Sequence, residues 1–151
     1  MNRLASIVGL AIIVASFGCG KVSLPQKPQL IVDRASLGFG QEFGSCTRIG
    51  TAPQDSIKIE NGGLEDLIIS SVTFSGDSAF MINGPAQGGM PKTTLKGKED
   101  AFIQVIFMPT AEKIYTGTIE VDSNAQAVDG GGPKKILALS GRGCIVTADG
   151  G

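Results

Sequence analysis

From Leu30 onward, apolar and polar residues alternate with a period of two along most of this chain. That is the spacing at which an extended strand sends successive side chains to opposite faces. Leu37 and Phe39 share one face of a first strand, interrupted by Gly38 and Gly40. Ile57 and Ile59 alternate with Lys58 and Glu60, predicting a half-buried second strand that ends at the turn sequence Asn61-Gly62-Gly63. Leu67 and Ile69 share a face, then Val72 and Phe74 take the opposite parity. A phase change across Ser70-Ser71 predicts a β-bulge or a strand break. Phe80 and Ile82 mark a short strand, and Ile103, Val105 and Phe107 form an inner face closed by Pro109. Tyr115, Gly117, Ile119 and Val121 make the next strand; Leu137 and Leu139 make the last, ahead of Ser140-Gly141-Arg142-Gly143-Cys144. No segment keeps a long helical period. About seven strands between Leu30 and Cys144 predict a single all-β domain, an antiparallel immunoglobulin-like β-sandwich.

The start of the chain follows a different pattern. Arg3 and the free amine are cationic, Ile7 to Val14 is an apolar run, and Ser16-Phe17-Gly18 precedes Cys19. This reads as a secretory signal peptide over residues 1–18, too short to span a bilayer as a mature helix. A cysteine directly after small-x-small resembles a bacterial lipobox, in which Cys19 becomes the lipidated first residue. Ser16 and Gly18 equally satisfy ordinary signal-peptidase cleavage, which would release a soluble chain. Cysteine parity favours the lipid: of 3 Cys, a lipidated Cys19 leaves Cys46 and Cys144 as one pair. In an exported chain that pair is expected as a disulfide, the rival being two buried thiols. Residues 19–29, with Pro25 and Pro28, read as an extended tether reaching about 30 Å. The sandwich then occupies 30–144 and a flexible tail 145–151.

Several strand ends and turns carry a resemblance. In order they are Leu37-Gly38-Phe39-Gly40, Ile59-Glu60-Asn61-Gly62-Gly63, Leu67-Ile68-Ile69-Ser70-Ser71-Val72 and Gly76-Asp77-Ser78-Ala79-Phe80. Phe107-Met108-Pro109-Thr110, Tyr115-Thr116-Gly117-Thr118-Ile119 and Leu139-Ser140-Gly141-Arg142-Gly143 follow. Together they resemble the hydin-type immunoglobulin-like domain of bacterial choice-of-anchor D proteins, related to the abnormal-spindle and hydin modules of cilia. The resemblance implies a non-enzymatic binding or scaffolding module on an exported, surface-attached chain. Lys113 stands where that family usually has Gly, and Thr47 to Asp55 is longer than its usual connection.

Composition narrows the chemistry. Arg3 is the one charged residue of the leader, so its loss takes the 13 basic residues to 12 against 14 acidic. A slightly acidic mature chain has no basic footprint for nucleic acid. The sequence contains no His, which removes Ser-His-Asp and Cys-His nucleophiles and imidazole metal ligands. Asp122, Asn124 and Asp129 lack the regular spacing of a calcium loop. Glu65-Asp66 and Glu99-Asp100 read as acidic turn pairs, and Lys134-Lys135 as a solvated strand start. Gly130-Gly131-Gly132, with no helix after it, is no phosphate loop. No catalytic residue, cofactor or metal is expected.

In a sandwich of this class the B–C, D–E and F–G connections gather at one end, here Asn61 to Asp66, Asn83 to Asp100 and Asn124 to Lys135. The second and third are long, and across the three loops Asn61, Met90, Asn124 and Asp129 are the candidate binding-loop residues. The rival reading of Met90 is that it packs under its own loop. The first strand begins at this end, which directs these loops toward the tether, while Cys144 falls at the other end. The expected protein is a non-catalytic envelope module, lipid-anchored at the outer membrane, with an envelope or extracellular protein or glycan as partner. The alternative is a soluble periplasmic or secreted binding protein using the same loops.

Overall fold

The computed structural model describes residues 25–40, 45–88, 90–127 and 132–145. The described residues form ten strands and no helix. They are β1 (Leu30–Val32), β2 (Ser36–Phe39), β3 (Thr47–Arg48), β4 (Gln54–Asn61), β5 (Leu67–Gly76), β6 (Phe80–Asn83), β7 (Thr93–Leu95), β8 (Asp100–Phe107), β9 (Ile114–Ser123) and β10 (Lys134–Cys144). One sheet runs β1-β4-β8-β6. The other runs β2-β10-β9-β5-β7, with β3 added beside the end of β10. The fold is the expected immunoglobulin-like β-sandwich.

Alternation explains the layering. Each strand has one apolar face, and two such faces reach a dry environment only by facing each other. Ile57, Ile59, Ile103, Val105 and Phe107 from the first sheet meet Leu67, Ile69, Val72, Ile119, Val121, Leu137 and Leu139 from the second, all fully buried or nearly so. Burying a side chain of this size stabilises by about 1.5–3 kcal/mol relative to exposure. Toward one end the core turns aromatic, with Phe80 and Phe39 stacked on Phe107 at ring-centroid distances of 4.9 and 5.4 Å. Gly141 makes this stack possible. A Cβ there would lie 2.5 Å from the Phe107 ring.

The first strand divides between the sheets. β1 pairs antiparallel with β4, Leu30 opposite Asn61, and β2 pairs parallel with β10, Leu37 opposite Leu139. The phase change in β5 is a bulge: Ile69 pairs with Ser123 but Ser71 with Asp122, so the ladder slips at Ser70. That one extra residue turns Leu67, Ile69 and Val72 all inward.

Two expectations need correction. Residues 83–100 are not a single end loop. Residues 84–88 and 90–92 lie on the connection from one sheet to the other along the side of the sandwich, where Val72 N–H donates to Ala86 O and Gln87 bridges Val72. β7 then pairs with β5, leaving 96–99 as a short turn. Met90 therefore sits on the flank, between the levels of Val72 and Ile69. The second difference is at the entry. Pro25 to Gln29 lie against the domain, with Leu64 N–H donating to Pro25 O, Glu65 N–H to Gln26 O and Gly62 N–H to Gln29 O.

Candidate functional site

At the end where residue 25 enters, three connections meet around Asn61. The turn after β4 brings Asn61 onto the inner face of that strand, where it is 0% exposed. Its Oδ1 accepts from Gln29 N at 3.3 Å and Gly63 N at 3.0 Å. Its Nδ2 donates to Glu65 O at 2.8 Å and Leu95 O at 3.1 Å. One amide thus satisfies the entering strand, its own turn and the end of β7, the arrangement a buried polar group requires. Asn61 is a staple with no polar atom left for a ligand. The Asn-Gly signal marks a turn but not the direction of the Asn side chain, so sequence reasoning missed this inward role.

Asn124 ties the exit of β9 to the start of β5. Its Oδ1 accepts from Ile68 N at 2.7 Å and its Nδ2 donates to Asp66 O at 3.1 Å. Gln126 N–H donates to Pro28 O, joining this loop to the entering segment. Lys98 N–H donates to Asn61 O, adding the 96–99 turn to the same end. Asp129 and Cys19 lie outside the described residues. Met90 is 56% exposed on the flank, between the levels of Val72 and Ile69, and not among the connections that meet around Asn61 and Asn124.

Charged groups at this end are paired across the turns. Lys27 meets Glu65 at 3.4 Å and Lys96 meets Asp66 at 2.6 Å. The Asp66 carboxylate holds the Lys96 ammonium pKa above its usual value, chiefly by hydrogen bonding. On the first sheet, Lys58 lies between Glu60 at 2.8 Å and Asp100 at 3.5 Å, and its hydrogen bond keeps the Glu60 carboxyl below the usual carboxylate range. No group of three or more potential metal ligands occurs among the described residues.

The opposite end is built differently. Cys46 and Cys144 form a disulfide with Cα atoms 5.8 Å apart, closing a sequence separation of 98 residues. β3 pairs parallel with the end of β10, Thr47 opposite Gly143, which brings the two cysteines together. Nearby, the Tyr115 hydroxyl accepts from Ala111 N at 2.7 Å and Thr110 N at 3.0 Å, and donates to Ala111 O at 3.2 Å. This is the tyrosine corner of immunoglobulin-type sandwiches. Asp77 accepts from Thr116 N at 2.8 Å and from Lys113 Nζ at 3.0 Å, and the backbone donor first, the lysine second, hold its carboxyl below the usual range. The Lys113 ammonium also lies 4.5 Å from the Tyr115 ring centre. Between the 49–52 turn and the 108–110 segment is an open cleft of about 380 Å³, lined by Ile49, Ala52, Met108 and Pro109 among others. Nothing in the alternation pattern marks it, because its walls are turn residues brought together by the ends of β3 and β8.

Comparison with known proteins follows the fold. The ASH/PapD-like domain 7 of human CEP192 is similar with a TM-score of 0.55 at 14% identity, over 96% of this chain and 100% of that one. The Escherichia coli chaperone DraB is similar at 0.50 and 9% identity, over 80% of this chain and 58% of that one. A chaperone–tip adhesion subunit pre-assembly complex, CsuC–CsuE of Acinetobacter baumannii Csu pili, matches at 0.50 and 12% identity, over 76% of this chain and 56% of that one. This chain thus spans somewhat more than half the length of the DraB chain and of the matched chain of the CsuC–CsuE complex. No family model and no curated protein matches the sequence. At these identities the likeness establishes the immunoglobulin-like β-sandwich fold alone.

Proposed function

We propose that this chain is a non-catalytic interaction or structural module of the bacterial envelope, of the hydin-like, choice-of-anchor D kind, held at the outer membrane by lipid on Cys19. The observation that carries the reading is the contrast between the two ends. At the entry end the loop side chains Asn61 and Asn124 are occupied with main-chain groups of neighbouring turns and strands, Asn61 with Glu65 and Leu95 and Asn124 with Asp66 and Ile68. The disulfide end keeps an open apolar cleft of about 380 Å³. Binding sites are concave and mostly apolar with a few polar groups, and they need no titratable cluster. The fold supports a protein-binding role, since a chaperone–tip adhesion subunit complex contains a chain with a similar sandwich. Ile49, Met108 and Pro109 suit an apolar protein side chain better than a glycan.

A photo-crosslinking residue at Ala52 tests this in intact cells. The expected result is a discrete protein adduct from Ala52 that Met108→Asp abolishes. Adducts insensitive to Met108→Asp, or turnover of hydrolase substrates that Asp122→Ala removes, would overturn the reading. The second reading, a soluble periplasmic or secreted binding protein, is favoured by the small residues Ser16 and Gly18. Detergent-phase partitioning separates the two: the anchored form partitions with detergent and Cys19→Ala moves it to water.

A further inference from the structure

We propose that the 61–66 turn, with Leu64 at its tip, rests on the lipid surface that holds Cys19, so that the domain stands on the membrane with its cleft facing away. The inference deepens the lipid-anchor reading and rests on it.

Four observations lead there. The first is the length of the leash. Pro25 to Gln29 run along the domain, held through Pro25, Gln26, Pro28 and Gln29 carbonyls, so among the described residues the chain is held from Pro25 onward. Six residue steps separate Pro25 from Cys19, and an extended chain covers at most about 3.6 Å per step, roughly 22 Å. The second is the point of departure. Leu64 N–H donates to Pro25 O at 3.1 Å, so the chain leaves the fold beside this leucine. Third, Leu64 is 46% exposed at the middle of its turn. The 96–99 turn packs close behind it, since a Cβ on Gly97 would lie 2.9 Å from Leu64 O.

The fourth observation is charge. Lys27, Lys96 and Lys98 surround the turn together with Glu65, Asp66 and Glu99, and two of the lysines are ion-paired within the set. A balanced rim is not repelled by anionic headgroups. Tethering supplies the rest. Attachment through so few residues holds the domain near the surface at an effective concentration on the order of millimolar, so one leucine biases an orientation it could not create in free solution. Met81 and Phe102 are more exposed than Leu64, but they lie on the outer face of the first sheet. The cleft end is farther from the anchor by the length of β4, whose eight residues span about 25 Å at roughly 3.4 Å each.

The chain contains no Trp, so a single introduced tryptophan is a clean depth reporter. Lipidated Leu64→Trp and Ala52→Trp proteins are reconstituted into phosphatidylethanolamine–phosphatidylglycerol vesicles containing brominated acyl chains. Quenching several-fold stronger for Leu64→Trp than for Ala52→Trp is the expected result. Protein that floats with vesicles but shows no quenching at Leu64→Trp, or equal quenching at both positions, overturns the inference and leaves the anchor intact. Protein that does not float overturns both. Hydrogen exchange on the unsubstituted protein gives an independent readout. Residues 61–66 and 96–99 should slow on vesicles while 49–52 and 108–110 do not, and unchanged exchange at 61–66 overturns the inference.

Discussion

Asn61→Ala should be among the most damaging single substitutions in this domain outside the apolar core. It removes an amide that satisfies four main-chain groups. Two of these bonds, to Leu95 O and from Gly63 N, are buried, and the other two are part-buried and open to replacement by water. A buried group left without a partner costs about 1–3 kcal/mol, so losing two gives about 2–6 kcal/mol. Small domains have only about 5–15 kcal/mol of net stability, so the loss is a large share of the total. Urea unfolding with the disulfide intact, extrapolated linearly to water, measures it. Asn61→Asp sharpens the test. One carboxylate oxygen keeps the two N–H partners, but the other faces Glu65 O and Leu95 O and cannot donate to them. Burial and the carbonyls raise this carboxyl's folded-state pKa above its unfolded value, so the variant is destabilised at neutral pH. That destabilisation is relieved as pH falls through the folded pKa, where the protonated acid donates one bond. A loss below about 1 kcal/mol in Asn61→Ala, or a pH-independent penalty in Asn61→Asp, would refute the staple.

Other expectations follow from the remaining geometry. Reducing Cys46–Cys144, or replacing both with Ala, should lower stability by up to about 4–5 kcal/mol in the chain-entropy model for a loop near 100 residues; calorimetry measures it, and an unchanged melting temperature would contradict it. Asp77 has a depressed folded-state pKa, so its stabilisation is complete above the ordinary carboxylate range and is lost as pH falls through its folded value. Asp77→Asn should therefore be less stable than the parent at pH 7, with the gap narrowing in acid melts; a constant gap contradicts it. Gly141→Ala puts a methyl 2.5 Å from the Phe107 ring and should destabilise by about 1–3 kcal/mol in urea titration, a neutral result arguing against the tight stack.

Much of the fold was legible because burial leaves a period of two in the sequence. The inner faces of β4, β5, β8, β9 and β10 are the apolar positions the alternation identifies, and the phase change at Ser70-Ser71 is a real bulge. The Cys46–Cys144 bond was legible from cysteine parity. The switch of the first strand between sheets left no mark, since Leu30 and Leu37 face the same core from opposite sheets. β7 was missed because Thr93-Thr94-Leu95 contains one apolar residue, too few to show a period. The candidate sites were least legible of all. Asn61 and Asn124 are turn residues whichever way their amides point, and the cleft depends on two chain segments more than 50 residues apart.

The position of the disulfide also determines how this domain responds to force. If the protein is pulled through its N-terminus, β1 and β2 lie before Cys46 and can peel from β4 and β10. Everything between Cys46 and Cys144 lies inside a covalent loop and cannot be drawn out while the bond holds. The extra reach is then limited to the stretch from Pro25 to Cys46, about 75 Å at roughly 3.6 Å per residue. The long strands β4, β5, β8 and β9 stay within the loop, and so do both walls of the cleft. Pulled in this way, the domain lengthens only to a fixed stop, without drawing its cleft into the extended chain.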